Sequence, residues 1–386
     1  MSSKRLPGSK SWLMRTAVAS GTLAVVAIVG CAGLAHEEER LTFRVVHNTA
    51  SSFNGLPDGV QEFLLPVTAD GSTQRVHAWW WPAAKRNAPT VLYLHGARWD
   101  LTGQLYRIEQ LRDFGFSVFA IDYRGFGKSD GDVPSEKTVY EDASVAWDWL
   151  ARHQPDPALR YIYGHSLGGA VAVDLAARLS AESGKAGAAT TVPAAGLILE
   201  STFTSLADIA REFVFPWVPV EWLLTQKFDS VHKIANVHMP VLIVHGVGDR
   251  YVPSRFSQEL YDAAPERKQL LLVDGATHNT SMRVGKAVYQ QALSDLFGLG
   301  DQRTTLRVSA RKPGSGSSLP LLARKASALR RVSQAEARPA SDNELSALRV
   351  DLQLREGEEL VRAAHALQRE GTLGDEFAGI AFGEFR

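Results

Sequence analysis

From about residue 90 the chain alternates brief runs rich in Val, Leu, Ile and Tyr with longer amphipathic stretches. The apolar runs predict strands at Thr90–His95, Ser117–Asp122, Arg160–Gly164, Gly196–Glu200, Val241–His245 and Lys268–Val273, each too short and too continuously apolar for a surface helix. Between and after them, apolar positions recur at helical spacing over Glu136–Arg152, Leu167–Leu179, Ser254–Ala264 and Val284–Phe297. Continuous apolar strands alternating with helices predict a mostly parallel sheet covered on both faces, the α/β class. Ahead of this region, Glu62–Thr68 and Gln74–Trp81 flank Ala69-Asp70-Gly71-Ser72, an Asp-Gly hairpin signal that adds an antiparallel edge. Ligands of such sheets bind at the carboxyl ends of the strands, so chemistry is sought in the residues that follow each strand.

The two ends of the chain have a different texture. Lys4, Arg5, Lys10 and Arg15 form a basic start without an acidic residue, and Thr16–Leu34 is uncharged and rich in small apolar residues. That is a targeting segment. Cys31 is the only cysteine of the 386 residues, which excludes an internal disulfide and a zinc site built on paired thiolates. Ile28-Val29-Gly30-Cys31 resembles a bacterial lipobox, whose cysteine is lipidated and becomes the new N-terminus. The alternative is an uncleaved anchor, since the run nearly spans a hydrocarbon core of roughly 30 Å. Either form places the body outside the cytoplasmic membrane and ties it there by an N-terminal lipid or anchor.

Lys plus Arg and Asp plus Glu are both 42, so no electrostatic footprint for nucleic acid exists. Losing the basic leader makes the body mildly acidic, which gives no polybasic adhesion to anionic lipid. The expected organisation is a leader over 1–31, an α/β domain over 41–298, a flexible linker over 299–340 and a short helical extension over 341–386. The linker is marked by Arg311-Lys312-Pro313-Gly314-Ser315-Gly316-Ser317-Ser318, and the extension by a capping box at Ser341–Glu344. Nothing in the tail identifies a protein partner.

Gly164-His165-Ser166-Leu167-Gly168 lies between a predicted strand and a predicted helix, the context of a nucleophile elbow. A serine hydroxyl needs a base to remove its proton and an acid to orient that base. His278, soon after the strand ending at Val273, is the candidate base, and Asp249, after the strand ending at His245, is the candidate acid. Asp274 and Glu200 are the rival acids. His95 and His245 read as loop supports bonded to backbone, and His165 as a residue lining the site. The two oxyanion donors are expected from the backbone of Leu167 and of Ala97, in the loop after Thr90–His95. Each such donor is typically worth about 3 kcal/mol in the transition state.

Gly127-Lys128-Ser129 imitates the end of a phosphate-binding loop, but the glycine needed five positions earlier is Asp122, so nucleotide binding fails. The segment 211–224 is unusually apolar and aromatic for a connection after a strand. It reads either as a small lid or as a cap packed on the core.

Leu92-Tyr93-Leu94-His95-Gly96, the segment Asp122–Gly131, the serine elbow, Glu200-Ser201-Thr202-Phe203, His245-Gly246-Val247-Gly248-Asp249 and the loop of His278 together resemble the α/β-hydrolase superfamily over about Phe63–Phe297. The resemblance is to its small-lid serine esterase branch of lysophospholipid and monoacylglycerol lipases, depalmitoylating thioesterases and serine-aminopeptidase-like members. It implies a short cap after the sixth strand and a serine hydrolase that needs neither metal nor organic cofactor. The substrate is expected to be a small-molecule or lipid-derived ester or thioester, cleaved through an acyl-serine. Two alternatives stand beside it: a peptidase or amidase of the same fold, and a non-catalytic lipoprotein that binds a partner. That branch often has Asn after His-Gly, where this chain has Ala97, Arg98 and Trp99.

Overall fold

A computed structural model describes residues 34–69, 71–185, 194–213, 217 and 219–299. The leader, with Cys31, the linker and the C-terminal extension lie outside the described residues. No helix among the described residues is long and apolar enough to cross a membrane.

Eight strands form one sheet: β1 (Gln61–Ala69), β2 (Ser72–Trp81), β3 (Thr90–Leu94), β4 (Ser117–Ile121), β5 (Arg160–His165), β6 (Gly196–Glu200), β7 (Val241–Gly246) and β8 (Lys268–Val273). Their spatial order is β1-β2-β4-β3-β5-β6-β7-β8. β1 and β2 are antiparallel, as are β2 and β4, and every other pair is parallel. The hairpin closes with Ala69 opposite Ser72 and Gly71 at φ +78°, a left-handed angle that glycine adopts without steric cost.

The helices are α1 (the described part over 34–43), α2 (Leu101–Asp113), α3 (Glu136–His153), α4 (Leu167–Lys185), α5 (Leu206–Arg211), α6 (Val220–Leu223), α7 (Ser230–Ile234), α8 (Arg255–Ala263), α9 (Ser281–Val284) and α10 (Lys286–Phe297). Strand alternation divides the core. Leu92 and Leu94 of β3 join Val139, Ala143, Leu150 and Val171 on one face, while Val91 and Tyr93 join Leu101, Leu111, Tyr289 and Leu293 on the other. Residue for residue, fully burying a leucine such as Leu111 is worth roughly 1.5–3 kcal/mol. α3 starts at a capping box, with Ser135 accepting from the Thr138 N–H and the Thr138 side chain accepting from the Ser135 N–H.

Three elements differ from the periodicity reading. α1 runs across residue 41, where the sequence places the start of the domain, and ends at Phe43, whose ring is fully buried against Phe126 and Phe228. α2 is a helix whose buried side carries Gln104 and Arg107 among leucines and Ile108, so its polar residues mask its amphipathic pattern. The helix expected over Val284–Phe297 is broken at Gly285 into α9 and α10. A Cβ at Gly285 would lie 2.8 Å from the Val273 side chain.

Candidate active site

Ser166 follows β5 directly and precedes α4, with φ at +53°. A left-handed serine is uncommon and persists where its surroundings enforce it. Here the enforcement is close backbone packing. A Cβ on Gly164 would meet the Gly168 carbonyl oxygen at 2.2 Å, and one on Gly168 would meet the carbonyl oxygens of Leu94 at 2.2 Å and His95 at 2.4 Å. Ser166 N–H donates to the Glu200 carbonyl at 2.9 Å, and Thr202 Oγ1 donates to the Ser166 carbonyl at 2.8 Å. The elbow is thus wedged between the ends of β3 and β6, with its hydroxyl at the first turn of α4.

The loops after β7 and β8 are stitched together. Gly248 N–H donates to Ala276 O at 2.8 Å and Val247 N–H to Val273 O at 3.0 Å. A side chain at Gly246 would strike the carbonyls of Ala276 and Thr277. This stitching sets Asp249 against His278, whose Nδ1 lies 2.7 Å from Asp249 Oδ2. A carboxylate only accepts, so Nδ1 carries a proton and, in the neutral ring, Nε2 keeps its lone pair. Asp249 Oδ1 accepts from the N–H groups of Tyr251 at 2.8 Å and Val252 at 2.9 Å. His245 Nε2 lies 3.1 Å from Asp249 Oδ2 and 2.9 Å from the Val252 carbonyl, while its Nδ1 is 2.6 Å from Ser257 Oγ. Both partners of Nε2 are acceptors, which fixes the proton there. Burial pushes the Asp249 carboxyl up, but the hydrogen bonds from His245, His278 and Val252 and the charge of His278 outweigh it and hold it well below the usual carboxylate range.

The other candidate acids stand elsewhere. Asp274 is exposed and makes no bond to His278 among the described contacts. Glu200 is buried and accepts from Tyr163 Oη at 2.9 Å. His95 is buried with Nδ1 on the Gly96 carbonyl.

The N–H groups of Ala97 and Leu167 donate to no protein acceptor among the described hydrogen bonds. Gly96 lies against the elbow, where a Cβ would be 3.1 Å from that of Ser166. The Ala97 loop is held from outside: Arg98, at φ +78°, donates from N–H to Phe43 O and accepts at O from Val46 N–H, both at 2.8 Å. Ser166 Oγ and His278 Nε2 are not hydrogen-bonded to each other in this state.

Several supporting contacts escape sequence reasoning, which gave His165 only as a residue lining the site. His165 is buried, its Nε2 lies 2.9 Å from the His278 carbonyl and 3.1 Å from Arg107 Nη2, and its ring packs 4.9 Å from that of His278. Because the carbonyl can only accept, Nε2 donates to it. Burial, then the charges of Arg107 and His278, push the His165 ring far down, so it is neutral. Arg107, itself buried, donates to Asn279 Oδ1 at 3.2 Å and Gln104 Oε1 at 3.0 Å. An arginine on the apolar side of α2 is the signal that points to it. Tyr251, two-thirds exposed, edges the His278 ring at 5.6 Å.

A family model described as serine aminopeptidase, S33, matches residues 85–232. An uncharacterized protein of Mycobacterium tuberculosis (strain ATCC 25618 / H37Rv) is 36% identical over 218 residues, covering 56% of this chain and 72% of the relative. The lysophosphatidylserine lipase ABHD12 of Danio rerio is 33% identical over 208 residues, 50% of this chain and 51% of its own length, so the chain spans about half of that relative. Among solved structures, an alpha-beta hydrolase from Vibrio vulnificus superposes with a TM-score of 0.50 at 23% identity, covering 62% of this chain and 82% of that one. That likeness concerns the fold.

Proposed function

Since the chain belongs to the α/β-hydrolase family, we propose that it is a serine hydrolase, tethered outside the cytoplasmic membrane, that cleaves a carboxylic ester or thioester. The observation that carries the reading is the Asp249–His278 hydrogen bond of 2.7 Å, which in the neutral ring leaves Nε2 free to accept a proton, on a histidine whose carbonyl is bonded to His165, the neighbour of the left-handed Ser166.

In this mechanism Ser166 Oγ attacks the acyl carbonyl carbon while His278 Nε2 takes its proton. The contact between them forms on substrate binding, as catalytic hydrogen bonds of unliganded sites commonly tighten then. Asp249 stabilises the imidazolium, and the N–H groups of Ala97 and Leu167 hold the tetrahedral oxyanion at the N-terminal end of α4. Collapse expels the alcohol or thiol, which receives the proton from His278 and leaves an acyl-serine. Water then gives its proton to His278, attacks the acyl carbonyl and releases the carboxylic acid, restoring Ser166.

Ser166→Ala is expected to abolish labelling by a fluorophosphonate probe and nearly all turnover of p-nitrophenyl butyrate. Persistent labelling in that variant refutes the assignment. The similarity to a lysophosphatidylserine lipase supports a lipid-derived ester as the substrate class. The serine aminopeptidase description of the matching model favours an amide as the second reading, and relative turnover of the butyrate ester and an aminoacyl p-nitroanilide decides between them. Failure on esters, thioesters and amides together favours a non-catalytic binding lipoprotein.

The tether is Cys31, lipidated after cleavage of the leader, or the uncleaved leader itself. Metabolic labelling with a palmitate analogue that disappears in Cys31→Ser identifies the first form. The residues 341–386 are assigned as a helical extension joined through a linker over 299–340.

A further inference from the structure

Among the described residues, most of the most exposed large apolar side chains lie on α1 and in the cap segment. Trp222 of α6 is 91% exposed and Leu223 63%, and Leu34 and Leu41 of α1 are 74% and 67% exposed. Single exposed leucines are ordinary, but adjoining large apolar side chains mark a surface that meets something.

These residues belong to one braced assembly. Glu38 of α1 accepts through Oε2 from Thr225 N–H and Oγ1 at 2.8 and 2.7 Å, and through Oε1 from Gln226 N–H at 2.8 Å. At about 100° per residue, positions 34, 38 and 41 share a helix face, so the two leucines flank the residue that grips the cap. Lys227 Nζ donates to the carbonyls of Glu221 and Leu224, and Arg211 of α5 pairs with Glu221. Glu136 accepts from the N–H groups of Lys227 and Phe228, fastening the same segment to α3. Trp222 and Leu223 therefore point outward from a fixed base.

The chain itself identifies the occupant. The apolar leader runs straight into α1. Two residues separate Cys31 from Leu34, a reach of at most about 10 Å over three steps, and Glu38 is one helical turn further, about 6 Å. A tether that short keeps the gripped cap at the surface where the leader enters.

We infer that α1 and α6 form one docking face for a lipid bilayer, with Trp222 and Leu223 inserted at its interface. Tryptophan suits that depth, offering a large apolar ring and one polar N–H. The inference rests on the tethered reading above and adds to it which face meets the lipid. Tyr251, which edges His278, leads into α8, and the Arg255–Glu212 ion pair joins α8 to the end of α5 beside the cap.

The test uses the full chain in vesicles of equal parts phosphatidylethanolamine and phosphatidylglycerol whose acyl chains carry bromine. Bromine quenching of tryptophan fluorescence is expected in the wild type and is expected to fall markedly in Trp222→Phe. An unchanged quenched fraction in Trp222→Phe, or a wild type that stays unquenched, overturns the inference. Because quenching needs no turnover, failure of the hydrolase reading leaves this measurement standing. Trp222→Glu combined with Leu223→Glu is expected to lower turnover of a long-chain monoacylglycerol in those vesicles roughly tenfold, as interfacial affinity follows buried apolar area. Turnover of soluble p-nitrophenyl butyrate stays at the wild-type level. Equal loss on both substrates, or none on either, overturns the inference, as does self-association abolished by the same pair without any bromine quenching.

Discussion

The two halves of the site are held by opposite means. Ser166 is fixed by shape: glycines let three backbone segments approach so closely that a single added carbon has nowhere to go. Asp249 and His278 are fixed by hydrogen bonds, with N–H groups from Tyr251, Val252, His245 and His278 all directed at one carboxylate. The nucleophile half accordingly tolerates no extra atom. The acid half tolerates no lost charge, because its geometry is the sum of donors that a carboxylate alone satisfies.

Removing the charge is expected to have the largest effect. Asp249→Asn keeps the size but can present an amide N–H to His278, favouring the tautomer that has no lone pair toward Ser166, and kcat is expected to fall about 10⁴-fold. The same change has a stability signature. The Asp249 carboxyl lies below its usual value in the fold, so its contribution is complete above the unfolded pKa of about 3.9 and is lost as pH falls through the folded value. Thermal denaturation should show the variant less stable than wild type at neutral pH, with the gap closing only in strong acid. A variant that loses turnover without this pH-dependent gap separates orientation from charge.

Adding an atom comes next. Gly168→Ala places a carbon 2.2 Å from the Leu94 carbonyl oxygen, and overpacking of this kind costs roughly 1–3 kcal/mol. Fluorophosphonate labelling should slow far more than the fall in Tm suggests, since the strained backbone carries both Ser166 and the Leu167 donor. Labelling at the wild-type rate would show that the elbow relaxes and that shape is not what holds it.

Arg107 joins the halves. It sits behind the elbow residue His165 and reaches Asn279, the neighbour of His278. Arg107→Met is expected to lower kcat by up to about 10²-fold through a small displacement of the His278 loop. It should leave KM for a short ester within about twofold and change the pH profile of kcat, because a buried cation has been removed near the base. A Tm loss with unchanged kcat and profile would confine Arg107 to the core.

The inner strands were legible because they are buried on both faces and therefore read as continuous apolar runs, as in Thr90–Leu94 and Val241–Gly246. Ser166, Asp249 and His278 were proposed from the rule that chemistry gathers at strand ends, and the fold sets Asp249 against His278. α2 was not legible, since Gln104 and Arg107 occupy its buried side and erase the period that a helix needs to be seen. Nor was the second role of His245, whose Nε2 lies 3.1 Å from Asp249 Oδ2 in addition to its bond to the Val252 carbonyl. Burial alone separates neither case in a sequence; the partner does, and partners distant in the chain come only from the fold. α1 was hidden for a related reason: its grip on the cap links residues 38 and 225 through one side chain.

The smallest effect tests whether a buried imidazole beside a carboxylate is enough to make a base. His77 on β2 is a second such pair, with Nδ1 2.7 Å from Asp122 Oδ2, but its Nε2 is also engaged, 2.8 Å from Glu62 Oε1. Two carboxylates favour the protonated ring, which braces the β1–β2 edge. Burial pushes its pKa down, yet the bonds and charges of Asp122 and Glu62 raise it above the ordinary value. A raised histidine contributes stability that is complete below its unfolded pKa of about 6.5 and is lost as pH rises through the folded value. His77→Gln should therefore lower Tm most in mild acid and least in base, while kcat on p-nitrophenyl butyrate stays within about twofold, as for changes remote from the reacting groups. If Tm differs equally at every pH, the ring is neutral and packs only by shape; if kcat collapses, the distinction between a free and an occupied Nε2 does not govern which histidine does the chemistry.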